Sequence, residues 1–262
     1  MTTVKDIMHF MENLAPQYMK LGNDRVGLNC GHVNAPVSKI LISLDASSAA
    51  CHEAKEVGAD LLLTHHALLY HPDFITDASE AGTNTLFLIE NHIAHFNAHT
   101  NLDCAPGGVN DCFAQTLGLE NIEVISPDGT DGQGRPYGLL RAGTVETQSL
   151  ADFMGLVKEK LGRECLKFYD SGKPVSKVAV GGGSCGSELW KAAMAGCDTF
   201  VTADIKYNQF WEARSLGMNL IDAGHFATEN PVVAVLAEKL RAAFPEIEVI
   251  ISKTHGDCVN FF

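Results

Sequence analysis

Cysteine is present in this chain but never paired for chemistry. None of Cys30, Cys51, Cys104, Cys112, Cys165, Cys185, Cys197 and Cys258 stands in a Cys-x-x-Cys motif. Scattered singly, several among apolar neighbours, they read as reduced, buried thiols of a cytosolic protein and not as a disulfide framework. Long apolar runs are missing as well, so no membrane span is expected. The opening Met1-Thr-Thr-Val-Lys-Asp-Ile-Met8 carries charge at once and reads as no signal peptide. Positive charge is scarce: 19 Lys and Arg face 32 Asp and Glu, a net charge of −13. Such a surface repels phosphate backbones and anionic lipid, so neither nucleic acid nor membrane is an expected partner. It does suit a protein that collects cations. What remains is an ordinary globular composition, 46% hydrophobic and 19% charged over 262 residues, enough to bury a sizeable core. A cytoplasmic location is expected.

Hydrophobic periodicity places helices and strands in alternation. Val4 to Met19 has apolar residues at helical spacing. Lys39–Asp45 and Asp60–Thr64 read as buried strands around a helix from Ala49 to Val57. Thr85–Asn91 (helix), Ile93–Asn97 (strand) and Val109–Leu117 (helix) follow. Pro127 to Pro136, rich in Gly, Pro and Asp, reads as a linker. The pattern then restarts: strand Leu139–Val145, helix Ser149–Leu161 with Ser149 as cap, strand Val178–Val180, helix Glu188–Ala195, strand Thr199–Thr202, helix Tyr207–Leu216 and strand Asn219–Asp222. A helix capped by Thr228 and running to about Phe244 tolerates Pro231 in its first turn. Glu246–Ser252 is the last strand. Alternation of this kind predicts parallel α/β units.

The two halves repeat. Lys39-Ile-Leu-Ile, a helix, then Gly58-Ala-Asp60-Leu-Leu-Leu-Thr64-His65-His66 matches Lys177-Val-Ala-Val, a helix, then Gly196-Cys-Asp198-Thr-Phe-Val-Thr202-Ala203-Asp204. Thr64 follows Lys39 by 25 positions and Thr202 follows Lys177 by 25. One strand later, His99-Thr-Asn-Leu-Asp103 matches His225-Phe-Ala-Thr-Glu229, a shared His-x-x-x-carboxylate pattern. Sites in α/β sheets gather beyond the carboxyl ends of strands. His65, His66, His99, Asp103, His225 and Glu229 all fall there, and Asp204 takes the place of His66. Imidazole nitrogen with carboxylate oxygen suits Zn, Mn, Fe, Co or Ni better than calcium. Such a set can hold two ions roughly 3.5–4 Å apart, with a bridging carboxylate and a water acidified toward neutrality. His9, His32, His52, His71, His92, His95 and His255 lack this context and read as ordinary polar residues.

At these residues the chain resembles the Nif-three-like dinuclear metal-centre hexameric proteins, also called GTP cyclohydrolase 1 type 2 homologues. The matching stretches are Asp24–Leu28, Gly58–His66, His99–Asp111, Thr202–Tyr207 and Ile221–Glu229. The resemblance implies two related, linked α/β domains with a two-metal site in the cleft between them, and a ring-shaped homohexamer. Residues 1–127 with about 224–262 would form the first domain and 128–223 the second. It places the ligands of two divalent metal ions per chain on His65, His66, Asp103, His225 and Glu229. For His99 the two lines of reasoning diverge: the repeat makes it a ligand, the resemblance a support. Ala67 stands where the family commonly has Pro, Asn23 for Trp, Ala203 for Gly and Asn208 for His.

Two other signals compete. Gly181-Gly-Gly-Ser-Cys-Gly186 formally matches G-x-G-x-x-G, yet in the repeat it corresponds to a mere turn; a tight turn that can admit a substrate phosphate is preferred over a dinucleotide site. Lys206 and Tyr207 read equally as substrate contacts or structural residues, and Cys104 lacks an adjacent base. The expected function is a metal-dependent hydrolase of a small-molecule substrate, with GTP ring opening implied by the family's name. The alternative is a non-catalytic metal-binding scaffold or regulator.

Overall fold

Lysine, serine and aspartate at the amino ends of strands organise both sheets. The structure, a computed structural model, describes residues 1–70 and 74–260. The chain forms two compact units: Met1–Leu102 with Val233–Gly256, and Asp103–Val232 with the residues from Asp257 on. Elements are numbered in chain order.

The first unit is built on a five-stranded sheet ordered β1-β4-β3-β2-β13. Its strands are β1 (Gly27–Cys30), β2 (Lys39–Ser43), β3 (Leu61–Thr64), β4 (Ala94–Asn97) and β13 (Glu248–Ile251). Only β1 runs antiparallel to its neighbour. Ile40, Leu41, Ile42, Leu61, Leu62 and Leu63 are fully buried, which requires cover on both faces of these parallel strands. Each such side chain contributes about 1.5–3 kcal/mol of burial. The helices are α1 (Val4–Leu14), α2 (Ser48–Glu56), α3 (Glu80–Glu90) and, from the far end of the chain, α10 (Pro231–Ala243). Pro16 stops α1, so the expected helix to Met19 ends early and a 3₁₀ turn, Gln17–Met19, follows.

In the second unit six strands are ordered β5-β8-β10-β11-β12-β9: β5 (Glu120–Ile125), β8 (Leu140–Gln148), β9 (Lys167–Tyr169), β10 (Val175–Val180), β11 (Thr199–Thr202) and β12 (Asn219–Asp222). β10, β11 and β12 are parallel; the flanking strands are antiparallel. Side-chain alternation divides the core. Val178, Val180, Val201 and Ile221 pack with Phe113 of α5 (Val109–Thr116) and Phe153 of α6 (Leu150–Leu161). Ala179, Phe200 and Leu220 pack with Leu189 of α7 (Leu189–Met194) and Ala213 of α8 (Tyr207–Leu216). Ser149 caps α6 as expected, accepting from the Asp152 amide. The Gly- and Pro-rich stretch expected as a linker forms a small ribbon, β6 (Gly129–Thr130) and β7 (Pro136–Tyr137).

Two short helices carry candidate site residues. α4 (Thr100–Cys104) follows β4, and α9 (His225–Glu229) follows β12. The single helix expected from Thr228 is thus split into α9 and α10. Thr228 lies inside α9 and does not cap: its hydroxyl donates to the His225 carbonyl and accepts from the Gly183 amide. Glu229 ends α9.

The repeat is physical. Asp60 accepts from the Ser38 amide (2.7 Å), the Ser38 hydroxyl (2.8 Å) and the Lys39 amide (3.0 Å). Asp198 does the same with the Ser176 amide (2.9 Å), the Ser176 hydroxyl (2.7 Å) and the Lys177 amide (2.8 Å). Lys39 and Lys177 in turn donate to the Val57 and Ala195 carbonyls. Each latch sets the register of its parallel pair, Ile40 opposite Leu61 and Val178 opposite Thr199. Hydrogen bonds to a charged acceptor each contribute about 1.5–3 kcal/mol, less where exposed. Asp198→Ala is therefore expected to lower unfolding free energy by about 2–3 kcal/mol, read as a lower urea midpoint at unchanged slope. A wild-type midpoint would mean that strand pairing alone sets the register.

Candidate metal centre

β3 ends at Thr64, and the next two residues are His65 and His66. Both amides donate to the Leu44 carbonyl, which folds the pair across the end of β2. Their rings are then held by different acceptors. His65 Nδ1 lies 2.8 Å from the Ala98 carbonyl, and His66 Nδ1 lies 2.6 Å from Asp45. His99, just past β4, has its Nδ1 2.9 Å from Asp24. A carbonyl and two carboxylates can only accept, so each ring donates from Nδ1, and Nε2 is the nitrogen that a cation would use. The three imidazoles offer nitrogens within 4.8 Å of one another.

The acceptors are themselves secured. Burial alone would raise the Asp45 carboxyl; bonds from His255 and His66 outweigh it and hold the group well below the usual carboxylate range. For Asp24 the same contest is won by His99 and Thr100. Thr64 donates to the His66 carbonyl and faces His95 Nε2 at 2.8 Å. Burial pushes the His95 imidazole down to about 3, so it stays neutral and donates to Thr64.

The second unit carries a carboxylate-rich cluster of its own. Asp103, in α4, is 5% exposed and Glu229 is 3% exposed, and the two offer oxygens within 4.8 Å of each other. His225 opens α9, so the i,i+4 spacing sets it on the same face as Glu229: Nε2 is 3.0 Å from Glu229 Oε2. Its Nδ1 is 2.7 Å from Asp204. The loop after Asp103 is strapped by Arg141, 1% exposed, which donates to Asp111 at 2.9 and 3.0 Å and to the Ala105 carbonyl at 3.1 Å. Two buried carboxylates this close repel, and a divalent cation offsets that cost. The donor set therefore fits metal binding.

The glycine-rich loop serves this carboxylate. A Cβ on Gly183, whose φ is +62°, would come within 2.1 Å of Glu229 Oε1. Amides of Gly181, Gly182, Gly183 and Cys185 are spent on Val201, Asn110, Thr228 and Thr202. The helix beyond is preceded by a 3₁₀ turn and has six residues. Neither a dinucleotide loop nor a phosphate cradle is formed by those amides.

Of the residues singled out from sequence, the first unit brings together His65, His66 and His99, and the second Asp103, His225, Glu229 and Asp204. Lys206 and Tyr207 lie at the start of α8, where the Tyr207 ring packs edge-on against Trp211. His9, His32, His52 and His92 are exposed and belong to none of the clusters among the described residues; His71 lies outside the described residues. His255, read as ordinary, bonds Asp45 at 2.9 Å. Sequence reasoning also missed Asp45 and Asp24. Asp45 had a signal, since it stands just past a parallel strand, and Asp24 opens one of the stretches that match the family; His255 had none, being brought in from a loop far along the chain.

Imidazole and carboxylate clusters at the carboxyl ends of strands, in a mixed α/β fold, define a candidate metal-binding protein. The chain belongs to the Duf34/NIF3 (NGG1p interacting factor 3) family, whose model matches residues 2–257. A Clostridium perfringens protein called GTP cyclohydrolase 1 type 2 homolog is 34% identical, with 98% of this chain and 99% of that protein covered. A Lactococcus lactis protein of the same name is 33% identical over 91% of each chain. The fold matches the crystal structure of a Bacillus cereus protein related to NIF3 with a TM-score of 0.93 at 24% identity, covering 100% and 99% of the two chains. The solved reduced HcgD of Methanocaldococcus jannaschii matches at 0.78 and 28% identity over 96% and 98%. No helix among the described residues is long and apolar enough to cross a membrane.

Cys104, next to Asp103, is no nucleophile: burial first, then Asp103, pushes its thiol far up. Burial likewise raises Cys30 to about 11, Cys51 to about 12 and Cys197 to about 11. Only Cys165 and Cys258 are exposed. A thiol reagent is expected to modify these two quickly in the native protein and all eight cysteines in denaturant. Rapid native labelling of Cys104, located by peptide mapping, would overturn this.

Proposed function

We propose that this protein is a dinuclear metal-dependent hydrolase acting on a small molecule, with two divalent ions per chain held by His65, His66, Asp103, His225 and Glu229. The observation that carries the reading is the state in which the donors are kept. His65, His66 and His225 each give Nδ1 to an oxygen acceptor, and Asp103 and Glu229 are two buried carboxylates side by side. Membership of the family supports the same set. Zn, Mn, Fe, Co or Ni suits such mixed donors. When bound, the ions would acidify a water and so supply hydroxide near neutral pH. Glu229 has the longer reach of the two carboxylates, and we assign it the bridging role: it would hold both ions, and Asp103 would hold at least one. His65 and His66 are sequence neighbours whose Nδ1 atoms go to different acceptors, and they would serve different ions. His99, braced by Asp24, supports.

The relatives' name suggests hydrolytic opening of the GTP imidazole ring. An amide or a phosphoester would draw on the same chemistry. A regulatory scaffold is the second reading. It is favoured by Trp190, Met194, Tyr207 and Trp211, exposed on α7 and α8, since exposed apolar groups of this kind mark interaction surfaces. The same groups suit self-association as a homohexamer in the cytoplasm.

Native mass spectrometry with elemental analysis is expected to count two ions per chain in the wild type and in His99→Ala. Glu229→Ala is expected to hold one or none with the fold intact. Two ions at unchanged affinity in Glu229→Ala would end the bridging assignment. Hydrolysis by metal-replete protein, lost in Glu229→Ala with the assembly preserved, supports the enzyme; an assembly without turnover on nucleotides, amides or phosphoesters supports the scaffold. Light scattering should give the mass of six chains, and a monomer at micromolar concentration would remove the hexamer.

A further inference from the structure

Asp204 adopts a left-handed backbone. Its φ is +49°, a conformation that is uncommon outside glycine, although aspartate tolerates it better than most residues. The turn is tied on both sides: the Ala203 amide donates to the Gly183 carbonyl at 2.9 Å, and the Ile205 amide to Asp222 at 3.3 Å. That conformation sends the Asp204 carboxylate to His225, Oδ2 to Nδ1 at 2.7 Å. The carboxylate is 54% exposed, so its bond adds little to folding stability. An uncommon turn, tied on both sides, that delivers a bond of little structural value points to a role in the site.

The repeat explains why the residue stands there. In the first unit Asp45, six residues after Lys39, orients His66. The matching position in the second unit, six residues after Lys177, is Gly183, where a Cβ would strike Glu229 Oε1 at 2.1 Å and His225 Nε2 at 3.1 Å. No side chain fits at that place. The orienting carboxylate comes instead from the next strand end, in the position His66 occupies in the first unit.

We propose that Asp204 is the positioning residue for His225. It holds the ring in the Nδ1–H form and keeps Nε2 directed at Glu229, ready for a cation. The left-handed turn at 204 is retained because it delivers this bond. This inference rests on the metal-centre reading.

The test compares the wild type with Asp204→Asn and Asp204→Gly, both of which accept the left-handed turn. Each metal-free protein is titrated with Zn²⁺ against a competing chelator, its ions are counted, and its Tm is measured without metal. Two-bond proton–nitrogen NMR on the zinc-loaded proteins reads the His225 tautomer. Asp204→Gly is expected to lose about 10–100-fold in affinity at one ion, the effect typical of removing a partner of a ligating histidine. Asp204→Asn, which can still accept through its amide oxygen, should lose less. Neither Tm should fall, and the wild type should show Nδ1–H. Affinities of both variants within threefold of wild type would overturn the assignment. So would a drop in both metal-free Tm values, which would make Asp204 a fold residue. A wild type that takes up no ion would sink the metal-centre reading and this inference with it; a wild type that binds beside unaffected variants sinks this inference alone.

Discussion

One aspartate at the amino end of each parallel strand pair underlies the rest. Asp60 and Asp198 each gather a serine amide, a serine hydroxyl and a lysine amide from the neighbouring strand. A one-residue slip in a strand would invert every side chain about the sheet. With the register pinned, the residues leaving β3 are His65 and His66, and those leaving β11 are Ala203 and Asp204. The placement of the candidate site residues at one end of each sheet thus depends on a latch at the other end.

Both units solve the same electrostatic problem with different parts. An imidazole binds a cation well only if its other nitrogen is engaged as a donor. The first unit uses a carbonyl for His65 and carboxylates for His66 and His99; the second uses Asp204 for His225. Asp45 and Asp24 stay ionised because hydrogen bonds from their partners outweigh desolvation. The second unit adds two buried acids, and the glycines at 182 and 183 let the backbone close against one of them. The glycine pattern that resembles a nucleotide loop is therefore a packing requirement of Glu229.

Arg141 shows how much structure lies behind one donor. Its guanidinium is buried, paired with Asp111 in two bonds and shared with the carbonyls of Gly138 and Ala105. Breaking a buried pair of this kind leaves an uncompensated charge and typically costs about 3–5 kcal/mol. The strap ties the segment after Asp103 to Arg141 at Ala105 and Asp111.

Periodicity and spacing by themselves determined the α/β class, the long helices, the central parallel strands and the repeat, because each of these is a local pattern of apolar residues. They also placed His65, His66, His99, Asp103, His225 and Glu229 at strand ends, since that rule needs only the order of elements. Other features required the tertiary structure. β1, β5 and β9 are short or polar and exist because a neighbouring edge pairs with them. Helix α9 separates from α10 where Thr228 bonds inward to Gly183 and His225 instead of capping. Asp24 and Asp45, which hold His99 and His66, and His255, which pairs with Asp45, come from loops, and no local pattern specifies which group each meets. Which nitrogen of each histidine would face a cation is decided by such partners, and hydrogen bonding between residues distant in the chain is a property of the folded molecule alone.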